Sequence, residues 1–113
     1  MNNNKFNKNN IFDIANNINI HSTDEIFDII LNNKNIKIER IISSGQKTND
    51  NEWLVQDKNE WVLLLQGEAT ITIYENKTIK LSKGDYLYIP ENTKHKVDYT
   101  SKNPHCIWMA IHF

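Results

Sequence analysis

The chain contains few cysteine, proline and glycine residues: of its 113 residues, one is cysteine, two are proline and three are glycine. A single cysteine, Cys106, excludes an internal disulfide framework and fits a reducing compartment, so we expect a buried thiol there. No stretch approaches the roughly 20 apolar residues of a membrane span, and the first ten residues lack the apolar run of a secretory signal. These absences predict a protein of the cytoplasm.

The charge balance is also informative, because 13 basic residues stand against 14 acidic ones and the formal net charge is −1. A basic face that could neutralise phosphates is therefore not expected, which argues against nucleic acid and anionic membranes as partners. Small molecules and other proteins are the better expectations. The length suits one domain with a single core, which must serve both fold and function.

The N-terminal third differs in composition from the rest. Residues 1–10 are polar and low in complexity, which predicts a disordered tail. Residues 11–35 are expected to form an irregular arm followed by a short helix. The run from Ser22 to Glu25 has the form of a capping box, and the apolar residues after it repeat at three and four positions, so the helix is predicted to continue to about Asn32.

From Ile36 onward, short apolar or alternating runs are separated by turn residues, which is typical of an all-β sandwich or barrel. Two of these runs, 61–65 and 107–113, are apolar on both faces, as expected of strands inside a two-layer barrel or covered by another subunit. Strands are predicted at 36–43, 53–56, 61–66, 68–74, 78–81, 86–89, 95–99 and 106–113.

Two widely separated segments resemble the paired signature motifs of the cupins, a family of small jelly-roll barrels. The first motif ends in a glutamate and a glycine with six residues between them, and Glu60 and Gly67 match both in type and spacing. Gly45 stands where that motif would begin. The resemblance implies that Glu60 faces the interior of a barrel.

The second motif is matched by Gly84, Pro90 and His95. Asn92 replaces the second glycine of this motif, which is acceptable because asparagine also enters left-handed turns. The resemblance covers about residues 36 to 113. It implies an all-β, double-stranded β-helix, that is, a jelly-roll cupin barrel, preceded here by the short helix.

The first motif lacks the His-x-His pair that gives most cupins two metal ligands. If three residues separate the pair from Glu60, its places fall on Leu54 and Gln56; if four, they fall on Trp53 and Val55. We prefer the first alignment because Gln56 can still offer a ligand oxygen. A neutral amide is a weak metal ligand but a good hydrogen-bonding partner for a small molecule.

Alternation along the predicted strand 95–99 places His95, Val97 and Tyr99 on one face, which we expect to point inward. An imidazole on an inward face needs a hydrogen-bonding partner or a ligand. It is either a core histidine satisfied by a carbonyl or a hydroxyl, or a pocket ligand. Glu60 also has two interpretations. It shares a face with apolar residues, so it is either a pocket carboxylate that needs a cation, a metal or a proton, or a residue at the rim that forms a salt bridge to a lysine.

His112 lies on the last predicted strand, on the face of Trp108 and Ala110, and either face of that strand could be the inner one. The three tryptophans are better explained as core or interface packing than as an aromatic ligand box. The candidate ligand-binding residues are Gln56, Glu60, His95 and Tyr99, and the candidate metal ligands are Glu60, His95, His112 and Gln56.

Two functions stay open from the sequence. The first is an enzyme that holds Fe, Mn, Ni or Zn in a two-histidine, one-carboxylate site; the resemblance then implies dioxygenase, isomerase or decarboxylase chemistry on a small metabolite. The second is a metal-free module in which the same groups bind a ligand by hydrogen bonds, and the missing His-x-His pair favours it. A regulator is a weaker hypothesis, since one short helix cannot make a helix-turn-helix.

The resemblance, together with the apolar strands, also predicts a homodimer.

Overall fold

The computed structural model describes residues 6–15, 18–20 and 22–113. Over these residues the chain forms eight strands and no α-helix. The strands are β1 Ile26–Asn32, β2 Lys37–Ser43, β3 Glu60–Gln66, β4 Ala69–Ile73, β5 Lys77–Leu81, β6 Tyr86–Ile89, β7 His95–Thr100 and β8 Cys106–His112.

The strands form two antiparallel sheets, one of five strands in the order β1-β2-β8-β3-β6 and one of three in the order β5-β4-β7. This is the predicted all-β architecture. The apolar faces of the two sheets meet, and the buried thiol expected at Cys106 lies in their core at 0% exposure. The core residues are Val62, Leu64, Ala69, Ile71, Leu81, Cys106, Trp108 and Ala110.

The helix predicted over residues 22–32 is wrong, because most of that segment is strand β1. The Ser22 hydroxyl donates to the Asp24 carbonyl, and the Glu25 carboxylate accepts from Ser43 of β2, so neither residue caps a helix. Isoleucine-rich segments favour strands, and pairing with β2 supplies the hydrogen bonds that a helix would otherwise provide.

The predicted strand at 53–56 is reduced to one bridge between Leu54 and His95. The two residues exchange both backbone hydrogen bonds, at 2.7 and 3.0 Å. Two residues further on, the carbonyl of Gln56 accepts from the backbone N–H of Asn92 at 2.7 Å. Asn92 has a φ of 61°, the left-handed conformation expected where asparagine replaces the motif glycine. These bonds fix the loop beside the candidate site.

The described residues before β1 lie outside the strands. Of the predicted tail, residues 1–5 lie outside the described residues, and Phe6 is 86% exposed. The guanidinium of Arg40 on β2 holds the following arm by donating to the carbonyls of Ile11 and Asp13 at 3.1 and 2.5 Å. Among the residues that the structure describes, no helix has the length and apolar character to cross a membrane.

A β-bulge in β7 changes which residues face inward. Ile71 pairs with Val97, whereas its neighbour Thr70 pairs with Tyr99, so Asp98 is the extra residue. The predicted alternation therefore ends at Val97. Tyr99 was expected to face inward beside His95, but its side chain is 51% exposed.

Candidate functional site

Neighbouring strands bring Glu60 and His112 together, because these two residues are direct register partners on β3 and β8. Directly opposed residues in an antiparallel pair point to the same face. The alternation of buried residues on both strands makes this the inner face. His112 therefore lies beside Glu60 inside the barrel, which the sequence had left undecided.

His95 reaches the same place from the other sheet. Its Nε2 lies 3.7 Å from Oε1 of Glu60, while Nε2 of His112 lies 4.0 Å from the second oxygen, Oε2. The side-chain nitrogen of Gln56 lies 3.4 Å from Oε1 of Glu60. The structure thus brings together four of the five predicted site residues, and Tyr99 stays outside.

Sequence reasoning missed a fifth member of the site, Glu39 on β2. Its carboxylate oxygen Oε1 lies 2.9 Å from Nε2 of His112, and its side chain is buried. Alternation along β2 places Glu39 on the face of Ile41 and Ser43, but it does not identify that face as the inner one, because both faces carry isoleucine. We call these five residues the polar cluster: Glu39, Gln56, Glu60, His95 and His112.

The His95 ring is oriented by its second nitrogen. Nδ1 lies 2.9 Å from the carbonyl of Thr93, and a carbonyl can only accept, so Nδ1 carries the proton. In the neutral imidazole, Nε2 then directs a lone pair toward Glu60. The carbonyl partner expected of a core histidine is thus present on one nitrogen, and the other nitrogen faces the polar cluster.

A cavity of about 760 Å³ opens beside the polar cluster. Glu39, Gln56 and His112 form part of its wall. Glu60 contacts two of these wall residues, Gln56 and His112, and His95 in turn lies beside Glu60. The remaining lining is mostly polar and carries both signs of charge. It consists of Asn32, Asn33, Ile36, Lys37, Val55, Asp57, Lys58 and Asn92.

Burial raises the pKa of Glu60 above the ordinary value of 4.5, although His112 and then His95 lower it; Glu39, a like charge, adds to the rise. Of the two alternatives for Glu60, the rim salt bridge to a lysine is not seen among the described residues, and the carboxylate lies beside two imidazoles instead. A buried carboxyl with a raised pKa can hold or release a proton nearer to neutral pH than a solvated one.

The raised pKa of Glu60 predicts a pH dependence of stability. Between 4.5 and its higher folded value, the native state keeps a proton that the unfolded chain has lost, so the free energy of unfolding should fall as pH rises through this window. Urea denaturation of the wild type and of Glu60→Gln from pH 4.5 to 8 measures the difference. A wild-type stability that rises relative to Glu60→Gln over this range would show that the sign is wrong.

The polar cluster fits a metal ion only in part. His95 and Glu60 each present free lone pairs, but Nε2 of His112 is hydrogen-bonded to Glu39. Over residues 6–15, 18–20 and 22–113, no group of three or more His, Cys, Asp or Glu side chains is arranged to hold a metal. A third strong ligand is therefore lacking in this arrangement, and Gln56 offers only an amide oxygen.

Comparison with known proteins gives the same fold. A family model described as "Cupin domain" matches residues 44–112. A candidate mannose-6-phosphate isomerase from Ralstonia eutropha JMP134 is 32% identical; the alignment covers 93% of this chain and 95% of that one, with a TM-score of 0.84. A cupin superfamily protein from Desulfitobacterium hafniense DCB-2 is 18% identical, with 85% and 83% covered and a TM-score of 0.72. No curated protein matches the chain.

Proposed function

The chain belongs to the cupin family, and on that premise we propose that it binds a small polar molecule in the cavity beside the polar cluster. The observation that carries this proposal is the buried pair of Glu60 and His95, 3.7 Å apart, which Gln56 and His112 connect to the cavity. Buried ionisable groups are costly unless a partner satisfies them. A hydroxyl or carbonyl group of a bound molecule is such a partner.

The lining of the cavity indicates what kind of molecule fits. Amide side chains donate and accept hydrogen bonds, and the cavity wall includes four of them: Asn32, Asn33, Gln56 and Asn92. Two lysines and two carboxylates also lie on the wall, so their formal charges balance. Such a surface suits a molecule with several hydroxyl groups. The size of the cavity is within the range of small-molecule sites.

Three probes test the proposal: mannose, mannose 6-phosphate and malate. The resemblance to a candidate mannose-6-phosphate isomerase supports the inclusion of the sugar and its phosphate, while malate tests an acid without a ring. Ligand-detected NMR with tag-free protein should show saturation transfer to at least one probe. Absence of transfer to all three at millimolar concentration would count against the proposal.

A divalent metal is the second candidate, and the orientation of His95 favours it. Protonation at Nδ1 leaves Nε2 free, which is the form that metal-binding histidines take. His95 and Glu60 would hold the ion, with Gln56 as a weak third ligand. Fe, Mn, Ni and Zn suit such donors and would supply Lewis-acid chemistry. Elemental analysis of protein purified without a polyhistidine tag distinguishes this candidate from the first.

We further propose that the protein is a homodimer joined along β1. This strand is one edge of the five-stranded sheet, and its apolar side chains are 47 to 60% exposed. They are Phe27, Ile29, Ile30 and Leu31. The only charge on the strand, Asp28, is neutralised by Arg40 at 2.6 Å, so a second copy of β1 could pair with it without charge repulsion.

Ile30→Lys should convert the dimer to a monomer, because a lysine on an edge strand opposes pairing with another strand. Tyr86→Lys is the matched control, since β6 is the opposite edge of the same sheet and Tyr86 is 68% exposed. Light scattering at micromolar concentrations should give the dimer mass for the wild type and Tyr86→Lys, and the monomer mass for Ile30→Lys. A wild type that is monomeric throughout this range would refute the dimer.

A further inference from the structure

Glu39 lies outside both cupin motifs, yet it makes the shortest contact in the polar cluster. Its Oε1 lies 2.9 Å from Nε2 of His112, and the whole residue is only 7% exposed. Its second oxygen, Oε2, lies 3.8 Å from the ammonium of Lys37. A buried carboxylate in this position is held by two groups and has little freedom to turn away from His112.

The hydrogen bond determines what His112 can do. A carboxylate oxygen accepts, so the proton between the two groups belongs to Nε2 of His112. A ring nitrogen that carries a proton has no lone pair to give to a metal ion. We propose that Glu39 withdraws His112 from metal coordination and keeps the polar cluster as a hydrogen-bonding site for the ligand.

The same contact argues against Glu39 as a metal ligand in its own right. Oε1 would have to give up its hydrogen bond to His112 before it could coordinate an ion, and His112 would then stay buried beside Glu60 without that partner. Loss of a hydrogen-bonding partner from the outer nitrogen of a metal-binding histidine commonly lowers metal affinity by about 10- to 100-fold. Here Glu39 is bonded to Nε2 of His112, the nitrogen that faces Glu60 in the polar cluster, so Glu39 lowers the affinity for a metal ion.

The experiment compares zinc binding by calorimetry in tag-free wild type, Glu39→Ala and Glu39→Gln. Removal of the carboxylate should raise the affinity for Zn²⁺ at least about tenfold in Glu39→Ala. The rise should be smaller in Glu39→Gln, which keeps the size of the side chain and one acceptor oxygen. Glu25→Gln is the control, because Glu25 is also part-buried and accepts a hydrogen bond, but from Ser43 of β2 and outside the polar cluster.

A second readout does not depend on metal. Long-range proton–nitrogen spectra of the wild type should show His112 protonated at Nε2 and His95 at Nδ1, and Glu39→Ala should lose the protected Nε2 proton of His112. Zinc affinity that falls or stays unchanged in both Glu39 variants overturns the inference, as does His112 protonated only at Nδ1 in the wild type.

This inference rests on the proposed function, in which the polar cluster is the working site, but the two fail differently. If the probes do not bind and the Glu39 variants still gain zinc affinity, the proposed ligand is wrong and the role of Glu39 stands. If the probes bind and shift His95 while zinc affinity is insensitive to Glu39, the binding site stands and the role of Glu39 is wrong.

Discussion

Replacement of His95 by alanine should abolish ligand binding in the cavity while the barrel remains folded. The imidazole is the only group of the polar cluster that the three-stranded sheet contributes, and it faces Glu60 at 3.7 Å. Removal of one partner from a buried hydrogen-bonded group costs about 1 to 3 kcal/mol, which corresponds to an affinity up to about 150-fold weaker. Titration of whichever probe binds the wild type measures this loss.

The fold is expected to survive, because the backbone of residue 95 makes its hydrogen bonds to Leu54 through main-chain atoms alone. Far-UV circular dichroism checks this point. His105→Ala is the control, since His105 lies in the turn between β7 and β8 and outside the polar cluster. Equal losses of affinity in the two variants, or full affinity in His95→Ala, would remove the proposed centre of the site.

Gln56→His should create a strong metal site, because the wild type offers only His95 and Glu60 as strong ligands at this place. The amide nitrogen of Gln56 lies 3.4 Å from Glu60, so an imidazole at this position would join His95 and Glu60 as a third strong ligand. Structural zinc sites release about 10 to 16 kcal/mol through four ligands, or roughly 3 kcal/mol for each ligand. The expected gain is therefore about 100-fold or more in zinc affinity.

Calorimetric titration with Zn²⁺ and Ni²⁺ measures the gain, with Gln66→His as the matched control. Gln66 is also half-buried, but its side chain donates to the carbonyl of His105, away from the polar cluster. The double variant Gln56→His with His95→Ala should lose the gain. A gain of the same size in Gln66→His would mean that any added histidine suffices and that the polar cluster has no special geometry.

The sequence predicted the barrel well, because its strands carry strong local signals. Turn residues separate the apolar runs, and seven of the eight predicted strands appear close to their predicted bounds. The motif at Gly84, Pro90 and His95 predicts a turn followed by the start of a strand, and His95 is the first residue of β7 with its side chain buried. Cys106 is buried as expected.

The helix at 22–32 failed for a physical reason. Isoleucines at positions 26, 29 and 30 satisfy helical spacing, yet β-branched residues also suit a strand, and local sequence cannot decide between the two. The decision comes from β2, whose Arg40 binds Asp28 and whose backbone supplies the pairing partner. Such tertiary pairing is not visible in a window of ten residues.

Two details of the site depended on pairing that alternation does not reveal. The bulge at Asp98 turned Tyr99 outward, although strict alternation would have kept it beside His95. Glu39 was overlooked because β2 is apolar on both faces, with Ile38 and Ile42 on one and Ile41 on the other. Only the register of β2 and β8 brings Glu39 next to His112.

The most direct test of the binding site follows the histidine side chains of the wild-type protein by proton–nitrogen NMR during titration with mannose, mannose 6-phosphate and malate. We predict that at least one probe shifts the ring signals of His95 and His112 with a common dissociation constant and leaves His105 unchanged. If none of the probes moves His95 and His112, or if the response is confined to His105, the cavity beside the polar cluster is not the binding site.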